Sequence, residues 1–297
     1  MSLANRYPVL EVNLTHLRNN ARVMTNYCAK QGVSVAGVIK FSDGNLNIAN
    51  AYHQGGCAQI ASSRVIHLER IKSKFPDVET MLIRLPMLSE AGDVVKYCDI
   101  SLNSERNTLI ELNREAGKSG KRHSIILMLD VGDLREGVID INELYKLAMF
   151  TEYKLINLDL IGIGSSFACY GSILPTTENL GTLLSAAALI EEGIERKLKY
   201  ISGGSSVSLT IMQKEGIPEG INHLRIGGAI ANPRNIRINR GVAIEGMNED
   251  TFILKAELIE VNVKPTCPFG QGSINWAGNQ VKFEDTGLRK RAIAALG

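Results

Sequence analysis

The chain has 297 residues, 44% of them hydrophobic, enough for a substantial core in one large domain or two ordinary ones. Its 33 basic and 31 acidic residues leave a formal net charge of +2, too weak a field to draw in nucleic acid or an anionic membrane, so a small-molecule partner is expected. The five cysteines, Cys28, Cys57, Cys98, Cys169 and Cys267, include no Cys-x-x-Cys pair, which speaks against a disulfide framework or zinc knuckle and for a reducing compartment.

The opening "MSLANRYP" lacks the basic segment and apolar core of a secretory signal, and no run reaches membrane-spanning length, so a cytoplasmic protein is expected. Short β-rich runs then alternate with segments of helical period. Strands are predicted at 34–39, 58–61, 80–84, 99–102, 124–129, 157–163, 199–201 and 223–226. Between them lie helical patterns such as "SSRVIHLERIKSK", "NSERNTLIELNREAGK", "INELYKLAMFTEY" and "TTENLGTLLSAAALIEEGIERK", several opening on Ser, Asn or Thr as caps. Strand–helix units repeated in this way over about 200 residues suggest a TIM-type (β/α)8 barrel, with a doubly wound open sheet as the alternative. After Arg234 the texture changes to "VAIEGMNEDTFILKAELIEVNVKPTCPFGQGSINWAGNQVKF", which alternates like antiparallel strands. The expected organisation is therefore an α/β barrel over residues 1–232 and a smaller β-rich domain over 233–297.

In a barrel the chemistry collects at the carboxyl ends of the strands, so the residues after each run carry the functional reading. The first run, "VSVAGVIKFSDGN", ends on Lys40, either a surface cation closing a strand or an amine held for covalent chemistry. The third ends on Arg84, and the fifth leads into "LDVGDLREG" with Asp130 and Arg135. The sixth leads into "GIGSSFACYG". The seventh leads into "ISGGSSVSL", where two glycines turn backbone N–H groups toward an anion and Ser205 and Ser206 add hydroxyls. The eighth leads into "LRIGGAIANP", with Arg225, Gly227 and Gly228.

Singly, each has an ordinary reading: Gly-Gly-Ser-Ser as a loop, Arg135 and Arg225 as strand-closing cations, Asp130 as a cap, Cys169 and Tyr170 as packing residues. Together, a lysine, an anion cradle and intervening arginines describe one pocket for a phosphorylated, lysine-linked cofactor, which pyridoxal 5'-phosphate fits.

These motifs, with "VLEVNLTHLRNNARVM" and "IRLPMLSE", occur in an order that resembles the alanine racemase-like family of pyridoxal phosphate enzymes, nearest its ornithine and lysine racemase branch. The resemblance implies a barrel followed by a β domain, usually in a homodimer whose active sites draw on both subunits. It implies that Lys40 is the Schiff-base lysine and a catalytic base, whose amine must lose a proton as a dry pocket favours. It places Arg135 near the ring's phenolic oxygen and Arg225 against the pyridine nitrogen, where a guanidinium would weaken the electron sink and favour reprotonation at the α-carbon. Ser206, Gly227 and Gly228 match phosphate-binding positions, and Ser205 stands where asparagine is common.

Three features depart from the pattern. Ser166 occupies the place of a histidine that faces the cofactor ring. Phe269 replaces the tyrosine that serves as the second base, leaving Cys267 as a substitute base whose plainer reading is an ordinary buried cysteine. The chain also ends at "RKRAIAALG", where that branch is expected to continue.

The implied activity is a pyridoxal phosphate-dependent racemase acting on a basic amino acid such as ornithine or lysine. The alternative is a non-catalytic pyridoxal phosphate-binding protein of the homeostasis type. A decarboxylase of the same fold is weaker. A metal hydrolase is weaker still, since His16, His53, His67, His123 and His223 form no ligand cluster by spacing.

Overall fold

The computed structural model describes residues 7–275 and 277–296, so most of the opening segment read above for a leader lies outside the described residues. In chain order the elements are β1 (Val9–Val12), α1 (Leu14–Ala29), β2 (Ser34–Val38), α2 (Leu46–Gln54), β3 (Gln59–Ser62), α3 (Val65–Lys74), β4 (Thr80–Leu82) and α4 (Ala91–Tyr97). They continue as β5 (Ile100–Asn103), α5 (Arg106–Lys118), β6 (His123–Met128), α6 (Ile141–Lys154), β7 (Leu158–Gly164), α7 (Thr177–Gly193), β8 (Tyr200–Ser205), α8 (Leu209–Lys214) and β9 (His223–Ile226). The last are α9 (Gly228–Ala231), α10 (Pro233–Arg240), β10 (Phe252–Lys255), β11 (Leu258–Pro265) and β12 (Leu288–Ala294).

Strands β2 to β9 form a closed parallel barrel. The seam joins β2 to β9 in register, from Ser34 opposite His223 to Gly37 opposite Ile226. Each strand lies within a few residues of its predicted run, and the open-sheet alternative is excluded by the closure. The strands read as continuous apolar runs because the barrel buries both faces: Ile100, Ser101, Leu102 and Asn103 of β5 are all buried. Small Ala36 and Ala61 sit in one cluster with Met81, Leu102, Met128 and Tyr200, which lets large and small side chains interdigitate.

The helix starts are set locally. The Asp140 carboxylate accepts the N–H groups of Asn142 and Glu143 at the head of α6. Thr176 and Asn179 cap α7 reciprocally. Each such cap contributes about 1 kcal/mol.

The chain separates into two compact units, Asn13–Thr251 and, among the described residues, the flanking segments up to Val12 and from Phe252. This division differs from the expected break at residue 233. Helix α10 belongs to the barrel unit: Asn232 caps it by accepting the Asn235 N–H, Pro233 occupies its first turn, and Gly241 ends it at φ 70°. Its sequence is polar apart from buried Pro233 and Ile236, too sparse an apolar stripe to mark it as part of a barrel. In the second unit β1 pairs antiparallel with β10, and β11 with β12, in keeping with the expected antiparallel texture. Four-residue β1 was not among the predicted strands, its alternation being too short to read.

Candidate active site

The carboxyl ends of the barrel strands open on a cavity of about 460 Å³, within the range of small-ligand sites. Lys40, Arg135, Ser166, Ser205, Ser206, Arg225, Gly227 and Gly228 all line it. They come from the ends of five strands, which is why no short sequence window contains them.

Lys40 follows β2 and opens a 3-10 helix, Lys40–Ser42. The turn beyond it is locked. Asp43 takes a left-handed φ of 49° and Gly44 one of 72°. The Asp43 carboxylate meets Nε2 of buried His67 at 2.9 Å, and a Cβ on Gly44 would fall 2.7 Å from Cβ of His67. Lys40 itself is exposed, unlike the dry setting expected for it. Among the described residues its ammonium has no hydrogen-bond or ion-pair partner, so the anchor lies in the turn and the amine is left free.

The two glycine turns form a cradle. At Gly204, φ 104°, an added Cβ would lie 2.7 Å from both the Phe167 ring and Ser208 Oγ, so the left-handed geometry and close packing both require glycine. The next turn is tied to it, because the Ala229 N–H donates to Ser206 Oγ at 3.3 Å. Adjacent glycines there differ in role. A Cβ on Gly227 would sit 2.5 Å from the Val38 carbonyl oxygen, whereas one on Gly228 would meet nothing within 4 Å. Gly227 thus serves packing against β2, while Gly228 leaves cavity space that a side chain would fill. Ser205, Ser206 and that space fit a phosphate.

Arg225 is 6% exposed. It donates through Nη1 to Ser202 Oγ at 2.5 Å and through Nη2 to the Ser165 carbonyl at 2.8 Å and Ser166 Oγ at 3.4 Å. Burial pushes its guanidinium down to about 10, partly offset by Glu136 and Cys169, so it remains a cation near neutral pH. Arg135 meets Glu136 Oε2 through Nε at 3.1 Å and donates through Nη1 to Cys169 Sγ at 3.2 Å. Ser166, in the place where a histidine was expected, donates to Glu136 Oε1 at 2.6 Å. Arg84 also lines the cavity, held by the Ser63 and Leu85 carbonyls and by Glu90 at 2.6 Å.

The loop carrying Cys169 is built on Asp133. That buried carboxylate accepts the N–H groups of Cys169 and Tyr170 at 3.0 Å and of Ile173 at 3.1 Å. Burial pushes it up, but these N–H groups hold it below the usual carboxylate range. They also hold Ala168 and Ser172 at left-handed φ values of 51° and 56°, which side-chain-bearing residues adopt only under such constraint. Asp130 plays the plain role of a cap, accepting the Gly132 and Leu134 N–H groups.

Two titratable cavity residues were missed in the sequence. Glu136 was passed over beside the more conspicuous Arg135, and Cys169 was read as packing. The signal for both was their place in strand-end loops. The residues lining this cavity all come from the barrel unit, whereas Cys267 belongs to the second unit. It lies after β11 in the second unit, partly exposed, with Sγ 3.6 Å from the Pro268 carbonyl oxygen. Nearby Phe269 is 90% exposed.

The sequence pattern of the alanine racemase N-terminal domain matches residues 12–232. An ornithine racemase from Acetoanaerobium sticklandii is 39% identical over 293 residues, spanning 98% of this chain and 81% of that protein. A lysine racemase from Thermotoga maritima is 37% identical over 294 residues, spanning 98% and 80%. Among solved structures, an alanine racemase from E. faecalis superposes with a TM-score of 0.69 at 17% identity, over 88% of this chain and 69% of that one. A D-threonine aldolase from Filomicrobium marinum gives 0.69 at 13% identity, over 86% and 70%. At such identities the structures speak to the fold alone. Because the family pattern runs the length of the barrel and both racemases align with nearly the whole sequence, the chain belongs to the alanine racemase N-terminal domain family.

Proposed function

We propose that this protein is a pyridoxal 5'-phosphate-dependent racemase of a basic amino acid, ornithine or lysine. The observation that carries the reading is one cavity uniting a lysine amine that is unpartnered among the described residues, a serine–glycine cradle and a buried arginine, in a chain aligned over 98% of its length with an ornithine racemase. Pyridoxal phosphate, when bound, supplies an electron-withdrawing ring that acidifies the substrate's α-hydrogen.

The chain's residues divide the remaining work. Ser205, Ser206 and Gly228 would hold the phosphate, while Gly227 keeps their turn packed against β2. Lys40 would anchor the cofactor and move the α-proton on one face, with no competing ion pair among the described residues to break. Arg135 would donate toward the phenolic oxygen, and Arg225 would present a donor to the pyridine nitrogen. Because a guanidinium stays charged and donates only, it would keep that nitrogen unprotonated. Inversion needs a second proton carrier on the opposite face, and Cys267 is the candidate the sequence offers. By the same resemblance, residues 1–232 form the cofactor-binding part of a cytoplasmic homodimer. No helix of the described residues is long and apolar enough to cross a membrane.

The test is α-hydrogen exchange in deuterated water, followed by NMR on cofactor-loaded protein with L-ornithine, L-lysine, L-arginine and L-alanine in separate samples. Exchange with accumulating D-isomer of ornithine or lysine is expected. Cofactor binding without exchange on any of the four would replace the racemase with the non-catalytic homeostasis reading.

A further inference from the structure

Arg225 does not end at the serines that it touches. A guanidinium has donors and no acceptor, so Ser202 Oγ and Ser166 Oγ must both accept from it and direct their own hydrogens elsewhere. The Ser166 hydrogen goes to Glu136 Oε1 at 2.6 Å. The Ser202 hydrogen goes to His223 Nδ1 at 2.8 Å. An accepting Nδ1 places the proton of a neutral imidazole on Nε2, which faces Gln59 Oε1 at 3.3 Å. The Gln59 amide nitrogen then donates to Tyr200 Oη at 2.9 Å and Glu79 Oε2 at 2.5 Å. Each partner's chemistry agrees with its neighbour's, so the chain of hydrogen bonds has one direction throughout.

We infer that His223, acting through Ser202, is a positioning residue that holds the Arg225 guanidinium in a single orientation, with Ser166 and Glu136 as the opposing arm. His223 is wholly buried. Burial, aided by the charges of Arg225 and Lys199, pushes it down to about 3, so the imidazole stays neutral and keeps its accepting Nδ1. With Nη1 tied to Ser202 and Nη2 to Ser165 and Ser166, the guanidinium plane cannot rotate where Arg225 lines the cavity. This orientation exists in the protein alone; its consequence for the pyridine nitrogen rests on the function proposed above.

The experiment is ¹⁵N NMR of arginine guanidinium groups in cofactor-free protein, with the Arg225 signals identified by their loss in Arg225→Lys. Wild type should show separate, slowly exchanging Nη signals. His223→Asn supplies an accepting Oδ1 and should keep them, whereas His223→Leu should merge them. Pyridoxal phosphate affinity should fall about tenfold in the leucine variant and recover in the asparagine variant.

Unchanged Nη signals in folded His223→Leu would overturn the assignment, as would equal loss in both variants. If His223→Leu fails to fold by thermal melting, Ser202→Ala breaks the same link with the loss of one oxygen atom. Merged signals there support the relay, and a wild-type pattern refutes it. Should wild type fail to take up pyridoxal phosphate, the proposed function falls, while the guanidinium spectra still decide the relay.

Discussion

Lys40 and Arg225 are cations at the ends of neighbouring strands, β2 and β9, which pair in register, and the fold treats them in opposite ways. The lysine is exposed to the cavity, and among the described residues nothing pairs with its amine. The arginine is 6% exposed and tied to three serines. The contrast follows chemical need. An amine that must form and release covalent bonds is hindered by a strong partner, whereas a guanidinium that only donates gains from a fixed aim. Positioning is therefore invested in the turn behind Lys40, through Asp43 and His67, and in the side-chain network around Arg225.

The largest expected effect removes the free cation. Lys40→Ala should abolish the visible absorbance of bound cofactor and all α-hydrogen exchange, and an unchanged borohydride-sensitive band would sink its assignment.

Next in size is an acid sensitivity arising from two buried barrel histidines, His223 behind Arg225 and His123 against Ser101. Burial pushes His123 down to about 4 and His223 to about 3, from an ordinary 6.5. The unfolded chain therefore binds protons that the folded barrel refuses. This stability is full above pH 6.5 and is lost as pH falls toward those folded values, by about 1.4 kcal/mol per pH unit for each histidine. Urea titrations at pH 7, 6 and 5 measure it, and a flat profile would show that these two sites accommodate charge.

A sharper test separates two adjacent glycines. Gly227→Ala drives a Cβ against the Val38 carbonyl oxygen and should cost about 2 kcal/mol of stability in thermal melts. Gly228→Ala should leave the melting temperature alone and weaken pyridoxal phosphate affinity about tenfold through a crowded cradle. Equal effects in both assays would remove the division between packing and binding. The smallest effect belongs to Cys267→Ser, expected to leave cofactor affinity unchanged because the lysine, arginines and cradle that would hold the cofactor all belong to the barrel unit. Its exchange rate decides the separate question of the second proton carrier: full retained racemisation removes it from the mechanism.

The sequence by itself determined the eight-strand barrel and most of the cavity's membership. Strand runs buried on both faces and helix caps such as Asp140 are local features. Once a barrel is inferred, every strand end belongs to one rim, so Lys40, Arg135, Ser206 and Arg225 could be assembled on paper. Only the tertiary structure decided who touches whom. His223 meets Gln59 across 164 residues, and Arg135 meets Cys169 across 34. The boundary at Thr251 and the pairing of β1 with β10 likewise had no local marker. The physical reason is that a strand's burial and a helix's cap are written in neighbouring residues, whereas a hydrogen bond across a closed barrel depends on register at the seam, which is set when all the strands meet.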